Sequence, residues 1–214
     1  MALFCRVVDN YGDAGVCWRL ARQLAAEHGA RVTLWIDRPR TLAAIAPAAG
    51  TTAGVGLRGW DDAADLAGDD RVVISAFGCE LPAPVRRRLA APDAPLWLNL
   101  EYLSAEDWVE GCHGLASPKP ADAVVEHFFY PGFTPATGGL LRERGLLQER
   151  NALQTGNAAA RWLAAKGMDP APGERRISLF CYPDAPLPAW LALLAARPAP
   201  TRLLLPAGVA EDAV

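Results

Sequence analysis

The sequence predicts an α/β protein: a largely parallel, doubly wound sheet, followed by the opening of a second domain. Three observations lead there. The chain begins strand–loop–helix–strand, it continues to alternate short apolar runs with helical patterns, and the same alternation restarts after a Pro/Gly-rich stretch at 168–175. Strands separated by helices of this length do not pair as hairpins; they form parallel crossover units.

Residues 2–8 are apolar, end at Asp9 and read as a buried strand. Residues 10–13 have loop chemistry. Residues 14–28 then carry Val16, Leu20 and Leu24 at helical spacing, and Gly29 is placed to end that helix. A second strand follows at 31–36 and a helix at 38–46. Further on come a strand at 71–76, a helix at 83–90, a strand at 95–102 running into polar residues, and a short capped turn at 104–109. The pattern predicts a strand at 123–130 and helices at 140–149 and 158–166. Trp18 and Trp162 read as core. After the linker the pattern gives a strand at 177–182, a helix at 188–196 and a strand at 202–205. This organisation predicts a complete first domain over 1–165, a linker over 166–176 and an incomplete second domain over 177–214. The 214 residues suit one good core plus part of another.

Composition narrows the function. A net charge of −3, spread along the chain, does not favour nucleic acid or an anionic membrane as a partner. The five cysteines are scattered, odd in number and without a C-x-x-C pair. They read as buried reduced thiols rather than a disulfide framework or a zinc site. No secretion signal and no run of transmembrane length is visible, which predicts a cytoplasmic location.

Three segments carry candidate chemistry. The first is Asp9-Asn10-Tyr11-Gly12-Asp13-Ala14-Gly15, just past the first strand, where open α/β sheets bind ligands. Gly12 and Gly15 would let a ligand approach the backbone, and the helix start offers N–H groups to an anion. Of the two carboxylates, one could act as a base and the other position it. Alternatively, Asp13 caps a helix beginning at Ala14 and Asp9 closes an Asx-turn. A nucleotide-dependent oxidoreductase is the rival enzyme class, with Asp37 placed like a ribose-binding acid, but the full G-x-G-x-x-G fingerprint is absent. The second segment is Asn99-Leu100-Glu101-Tyr102 with His113 beyond it, a hydrogen-bonding wall suited to a polar acceptor. The third runs from Phe128 through Gly138 and Gly139 to Leu140. Its glycine pair ahead of a predicted helix could hold a diphosphate or sugar, or could form a tight turn beside packed aromatics.

Taken together, these segments resemble one family. Val7-Val8-Asp9-Asn10-Tyr11-Gly12-Asp13 with Cys17-Trp18-Arg19-Leu20, Asn99-Leu100-Glu101-Tyr102-Leu103-Ser104-Ala105-Glu106-Asp107-Trp108 with Cys112-His113-Gly114-Leu115, Pro131-Gly132-Phe133-Thr134 with Thr137-Gly138-Gly139-Leu140-Leu141, and Ser178-Leu179-Phe180-Cys181-Tyr182 are similar to the EarP family of elongation factor P arginine rhamnosyltransferases. The resemblance covers essentially the whole chain. It implies an inverting GT-B enzyme with two Rossmann-like domains, a dTDP-β-L-rhamnose donor, elongation factor P as the acceptor, and neither metal nor other cofactor. It implies Asp13 as the base, with Asp9 beside it. Asn10, Tyr11, Gly12, Gly15, Asn99, Glu101, Tyr102, Gly138 and Gly139 would contact substrate, and Phe180 and Tyr182 the donor nucleotide. It also implies that the second domain breaks off after Val214, so that this chain alone binds the acceptor without transferring sugar.

Overall fold

In the structure, a computed structural model describing residues 1–9, 11–65, 69–119, 124–169, 171–181 and 185–205, the opening apolar run becomes strand β1 (Ala2–Cys5), all four of its residues fully buried. Successive side chains of a strand point to opposite faces. Leu3 and Cys5 therefore join a cluster with Ala14, Cys17, Trp18 and Ala21 of helix α1 (Gly12–His28), whereas Ala2 and Phe4 join one with Val85 and Leu89 of helix α3 (Ala83–Leu89). Burial on both faces is what a central parallel strand requires. Phe4 stacks on Trp35, with ring centroids 5.6 Å apart. Helix α1 ends as expected: Gly29 takes the left-handed φ of 65°, and its N–H and that of Ala30 bond back to Ala25 and Leu24.

The remaining strands of this sheet are β2 (Val32–Ile36), β3 (Val55–Gly59), β4 (Val72–Ala76), β5 (Leu96–Leu100), β6 (Ala116–Lys119) and β7 (Val124–Phe129), in the order β3-β2-β1-β4-β5-β7-β6. Helices α2 (Pro39–Ile45) and α4 (Val109–Cys112) complete the set of helices that accompanies it. Every pairing is parallel except β6 with β7. The doubly wound expectation therefore holds, and the order reverses between β1 and β4.

Two edge strands carry weak sequence signals. Strand β3 is Val-Gly-Leu-Arg-Gly, and β6 contains Pro118, which a sheet tolerates only at an edge. Both are specified by their partners: β3 by its register on β2, and β6 by β7 together with an ion pair of 2.8 Å from Lys119 to the buried Glu126. The short turn expected at 104–109 forms its helix later, at α4, and the Ser104 hydroxyl accepts the Glu106 N–H at 3.1 Å.

The helix expected at 140–149 is displaced to α5 (Leu146–Leu153). Side chains of α1 capture the preceding backbone instead. Arg19 donates to the Leu141 carbonyl at 3.2 Å and to both oxygens of Glu143 at 2.7 Å, Gln23 donates to the Arg142 carbonyl at 2.7 Å, and Glu27 accepts the Arg144 N–H. A segment whose carbonyls and N–H are held by another helix does not close its own helical ladder.

The chain divides into two compact units, Met1–Arg144 and Gly145–Val214. The Pro/Gly-rich stretch expected between domains thus lies within the second unit, preceded there by α5 and α6 (Ala158–Ala164). After it, β8 (Arg175–Ser178), α7 (Leu187–Ala195) and β9 (Thr201–Leu204) form the expected parallel βαβ, with Ile177 opposite Leu203. Trp162 is 51% exposed rather than core, with Lys166 6.0 Å above its ring. Among the described residues no helix is long and apolar enough to cross a membrane.

Candidate active site

Because β1, β4, β5 and β7 run parallel, the residues that follow them share one edge of the sheet, where the strand order reverses. Asp13 lies there and is 1% exposed. It is not the cap of α1. The helix starts at Gly12, and Tyr11 in the cap position makes no side-chain cap bond. The Asp13 carboxylate instead reaches back along the chain: Oδ2 accepts the N–H of Val8 at 2.9 Å and of Asp9 at 2.8 Å. Its other oxygen, Oδ1, accepts the Tyr102 hydroxyl at 2.9 Å. A buried carboxylate without such donors would leave its oxygens unpaired, at a cost in stability.

The rest of the loop is packed around this group. The Gly12 N–H bonds the Asp9 carbonyl at 2.9 Å, and a Cβ on Gly12 would stand 3.3 Å from Asp9 Oδ2. The Tyr11 carbonyl accepts the Gly15 N–H at 2.9 Å, and a Cβ on Gly15 would meet the Ile45 side chain at an ordinary 3.6 Å. Asp37, the ribose-like acid of the oxidoreductase reading, accepts the Val7 N–H at 2.8 Å. It ties the end of β2 to the end of β1, which removes the main support for that reading.

The second segment closes on the first. Asn99 is buried; its amide donates to Glu101 Oε1 at 2.7 Å and its oxygen accepts the Gly78 N–H at 3.1 Å. Burial raises the Glu101 pKa; the Asn99 hydrogen bond opposes this and the nearby Glu126 charge adds to it. Tyr102 is half-exposed and stacks flat on Phe77, with centroids 4.1 Å apart and planes within 9°. Burial of the phenol and its bond to Asp13 both raise the Tyr102 pKa, so it remains a donor across the physiological range. A cleft of about 410 Å³ opens beside the pair, lined among others by Arg6, Val8, Arg38, Phe77, Gly78 and Tyr102.

The third segment is tied to the second: its Phe129 carbonyl accepts the Glu101 N–H at 2.9 Å and its Pro131 carbonyl the Ser104 N–H at 3.3 Å. Gly138 and Gly139 do not precede a helix. The Gly138 N–H is bonded to the Tyr130 carbonyl at 2.8 Å, and Gly132 donates to Gly139 at 3.1 Å. A Cβ on Gly138 would collide with the Phe129 ring and come within 3.1 Å of His113. This is the tight turn beside packed aromatics. His113 Nδ1 accepts the Tyr130 N–H at 3.1 Å, a structural bond. Phe180 follows the C-terminal end of β8 in the second unit and is 54% exposed. Asn10 and Tyr182 lie outside the described residues.

Two of the thiols, Cys17 and Cys79, are poor nucleophiles. Cys5 and Cys17 are buried, and the hydrogen bond with Cys5, then burial, raises the Cys17 pKa well above its ordinary value. Burial pushes Cys79 up to about 12. Cys79, Cys112 and Cys181 are only partly buried, less than expected.

Sequence reading missed Phe77 and Gly78. Their signal is an aromatic followed by glycine directly after a buried strand, both with positive φ, 59° and 63°.

Comparison with known proteins agrees with the motifs. The sequence model of the family described as Elongation-Factor P (EF-P) rhamnosyltransferase EarP matches residues 1–214. A protein-arginine rhamnosyltransferase of Pseudomonas putida is 51% identical over 214 residues, covering 96% of this chain and 56% of the relative. One of Pseudomonas aeruginosa is 49% identical over 215 residues, covering 96% and 57%. A solved structure described as the structural basis for EarP-mediated arginine glycosylation of translation elongation factor EF-P is 34% identical, covers 95% of this chain and 48% of its own, and aligns with a TM-score of 0.48. The chain spans little more than half the length of the curated relatives it matches. By its sequence from end to end, the chain belongs to the EarP family.

Proposed function

We propose that the protein carrying this chain is an inverting GT-B glycosyltransferase acting in the cytoplasm. It moves L-rhamnose from dTDP-β-L-rhamnose onto an arginine of elongation factor P and uses no metal. The unit at 1–144 presents the acceptor side, while Phe180 and Tyr182 are assigned to the donor nucleotide. The observation that carries this reading is Asp13: a buried carboxylate held at the switch-point edge beside an open cleft.

Asp13 does not take a proton from a resting guanidinium. A guanidinium holds its proton across the whole physiological range, far more tightly than any carboxylate can bind one. Its role comes later. An ionised carboxylate offers about four lone-pair positions. Among the described residues three donors meet Asp13, two on Oδ2 and one on Oδ1. One position on Oδ1 remains for an acceptor N–H. That bond aims a guanidinium nitrogen at the anomeric carbon and polarises it. As the C–N bond forms, the bond to the dTDP oxygen breaks and the nitrogen becomes acidic, so its proton passes to Oδ1. Asp9, against Gly12, shapes the loop, and Asn99, Glu101 and the ring of Tyr102 wall the acceptor's path, the Tyr102 hydroxyl being spent on Asp13.

The test is transfer by the full-length gene product, with elongation factor P weighed by mass spectrometry after incubation with dTDP-β-L-rhamnose. Asp13→Asn is expected to abolish the mass increase while leaving the fold intact. Near-normal turnover by that variant would refute the base assignment.

A further inference from the structure

The three donors that hold Asp13 differ in kind. Two are backbone N–H groups of its own loop, and both are spent on Oδ2. They anchor that oxygen and supply no donor to Oδ1. The third donor, Tyr102, comes from the far side of the sheet reversal, 89 residues along the chain, and among the described residues is the only one on Oδ1. It therefore decides which lone pair of Oδ1 is left over, and so the direction from which another N–H can approach.

Tyr102 is itself held from beneath. Its ring lies parallel on Phe77, and Phe77 adopts φ 59°, the one positive φ at a non-glycine position among the described residues. For a phenylalanine this conformation is strained and persists only where neighbours impose it. Here the Phe77 N–H is bonded to the Leu100 carbonyl at 2.6 Å, and the adjacent Gly78 N–H to the buried Asn99 side chain at 3.1 Å. The visible result of the strained turn is to lay the Phe77 ring against the Tyr102 ring at the cleft wall.

We infer that Tyr102 is a positioning residue for Asp13, with the strained Phe77 as its platform: the phenol hydroxyl orients Oδ1 toward the cleft, so that the carboxylate is aligned before an acceptor arrives. This rests on the reading of Asp13 as the proton acceptor and adds to it. Without the hydroxyl, a small turn of the carboxylate stays within the tolerance of the loop's hydrogen bonds but takes Oδ1 out of line with the nitrogen, and misplacement of this size costs roughly 10- to 100-fold in rate.

Tyr102→Phe removes the hydroxyl and keeps the stack. In the full-length protein, with dTDP-β-L-rhamnose and elongation factor P, kcat is expected to fall roughly 10- to 100-fold. KM for elongation factor P should stay within about twofold, because the lost group aligns the base rather than binding the substrate. The thermal melt of the variant, recorded in parallel, should stay close to that of the unsubstituted protein. An unchanged kcat overturns the inference. So does a rise in KM at constant kcat, which would make Tyr102 a binding contact, or a collapsed melt, which would make its role structural. Asp13→Asn is run alongside. If it retains turnover, the base reading fails and the inference with it; if it is dead while Tyr102→Phe is unimpaired, only the inference fails. No product from the unsubstituted protein overturns both.

Discussion

Replacing Asp13 by alanine and by asparagine should produce two variants equally poor in transfer and very different in stability. Alanine leaves the N–H groups of Val8 and Asp9 without their acceptor, and each deserted donor costs about 1–3 kcal/mol. The Tyr102 hydroxyl, on a half-exposed residue, can turn to water and adds little. Val8 is 77% exposed, so solvent relieves part of its loss and the lower half of the range applies. The sum is about 2–4 kcal/mol, a large share of a domain's usual 5–15. At roughly 2–4 °C per kcal/mol for a chain of this size, Asp13→Ala should melt about 5–15 °C lower. Asparagine behaves differently. Its carbonyl can take both N–H groups, and its amide can face Tyr102, whose oxygen then accepts instead of donating. Only the charge assistance is lost, and the desolvation cost of a buried charge goes with it. Its melt should move by about 3 °C or less. The assay is a thermal unfolding scan of residues 1–214 by circular dichroism, which needs neither donor nor acceptor. An alanine variant melting within about 2 °C of the parent would show that the carboxylate does not hold the loop, and would refute the hydrogen-bond argument from which both roles of Asp13 are drawn.

Two further outcomes are expected. The pKa of Glu143 is lowered chiefly by its hydrogen bond from Arg19, so that interaction stabilises the fold above the ordinary glutamate range near 4.3 and is lost as pH falls through the depressed value; Glu101, raised by burial, has the opposite sign, its favourable state being the protonated one, lost as pH rises through its own elevated value. Urea unfolding of Glu143→Gln should therefore show a deficit at pH 7 that shrinks toward pH 3, while Glu101→Gln should gain on the parent from pH 4 to pH 7; the same sign for both would contradict the geometry. Gly138→Ala should destabilise by about 1–3 kcal/mol, because its Cβ is driven into Phe129 beside His113, and a chemical denaturation curve unchanged from the parent would show that the turn is not packed as described.

What the sequence discloses about this fold follows the range of the forces involved. Strands buried on both faces announce themselves through continuous apolar residues, as at Ala2–Cys5, and α1 through its spacing and the glycine that ends it. The edge strands do not. Val55–Gly59 and Ala116–Lys119 have compositions that would suit loops and become strands because a partner offers its free edge. The stretch before Gly145 fails in the other direction: its own pattern favours helix, but Arg19, Gln23 and Glu27, more than a hundred residues away in sequence, hold its backbone groups. The site divides in the same way. That two carboxylates and an Asn–Glu–Tyr wall lie at the strands' C-terminal edge was readable, since it needs only the order of strands and loops. How Asp13 is used was not, because a cap and a loop anchor look alike in one dimension. The distinction rests on a phenol 89 positions away and on a phenylalanine whose backbone conformation contradicts its residue type. Local preference predicts an ordinary φ for Phe77; the bonds that the Phe77 and Gly78 N–H groups donate to Leu100 and Asn99 override it. A position where tertiary hydrogen bonds hold a residue against its own preference, beside a buried carboxylate at the C-terminal edge of a parallel sheet, is the place at which a functional explanation of the local arrangement is to be tested.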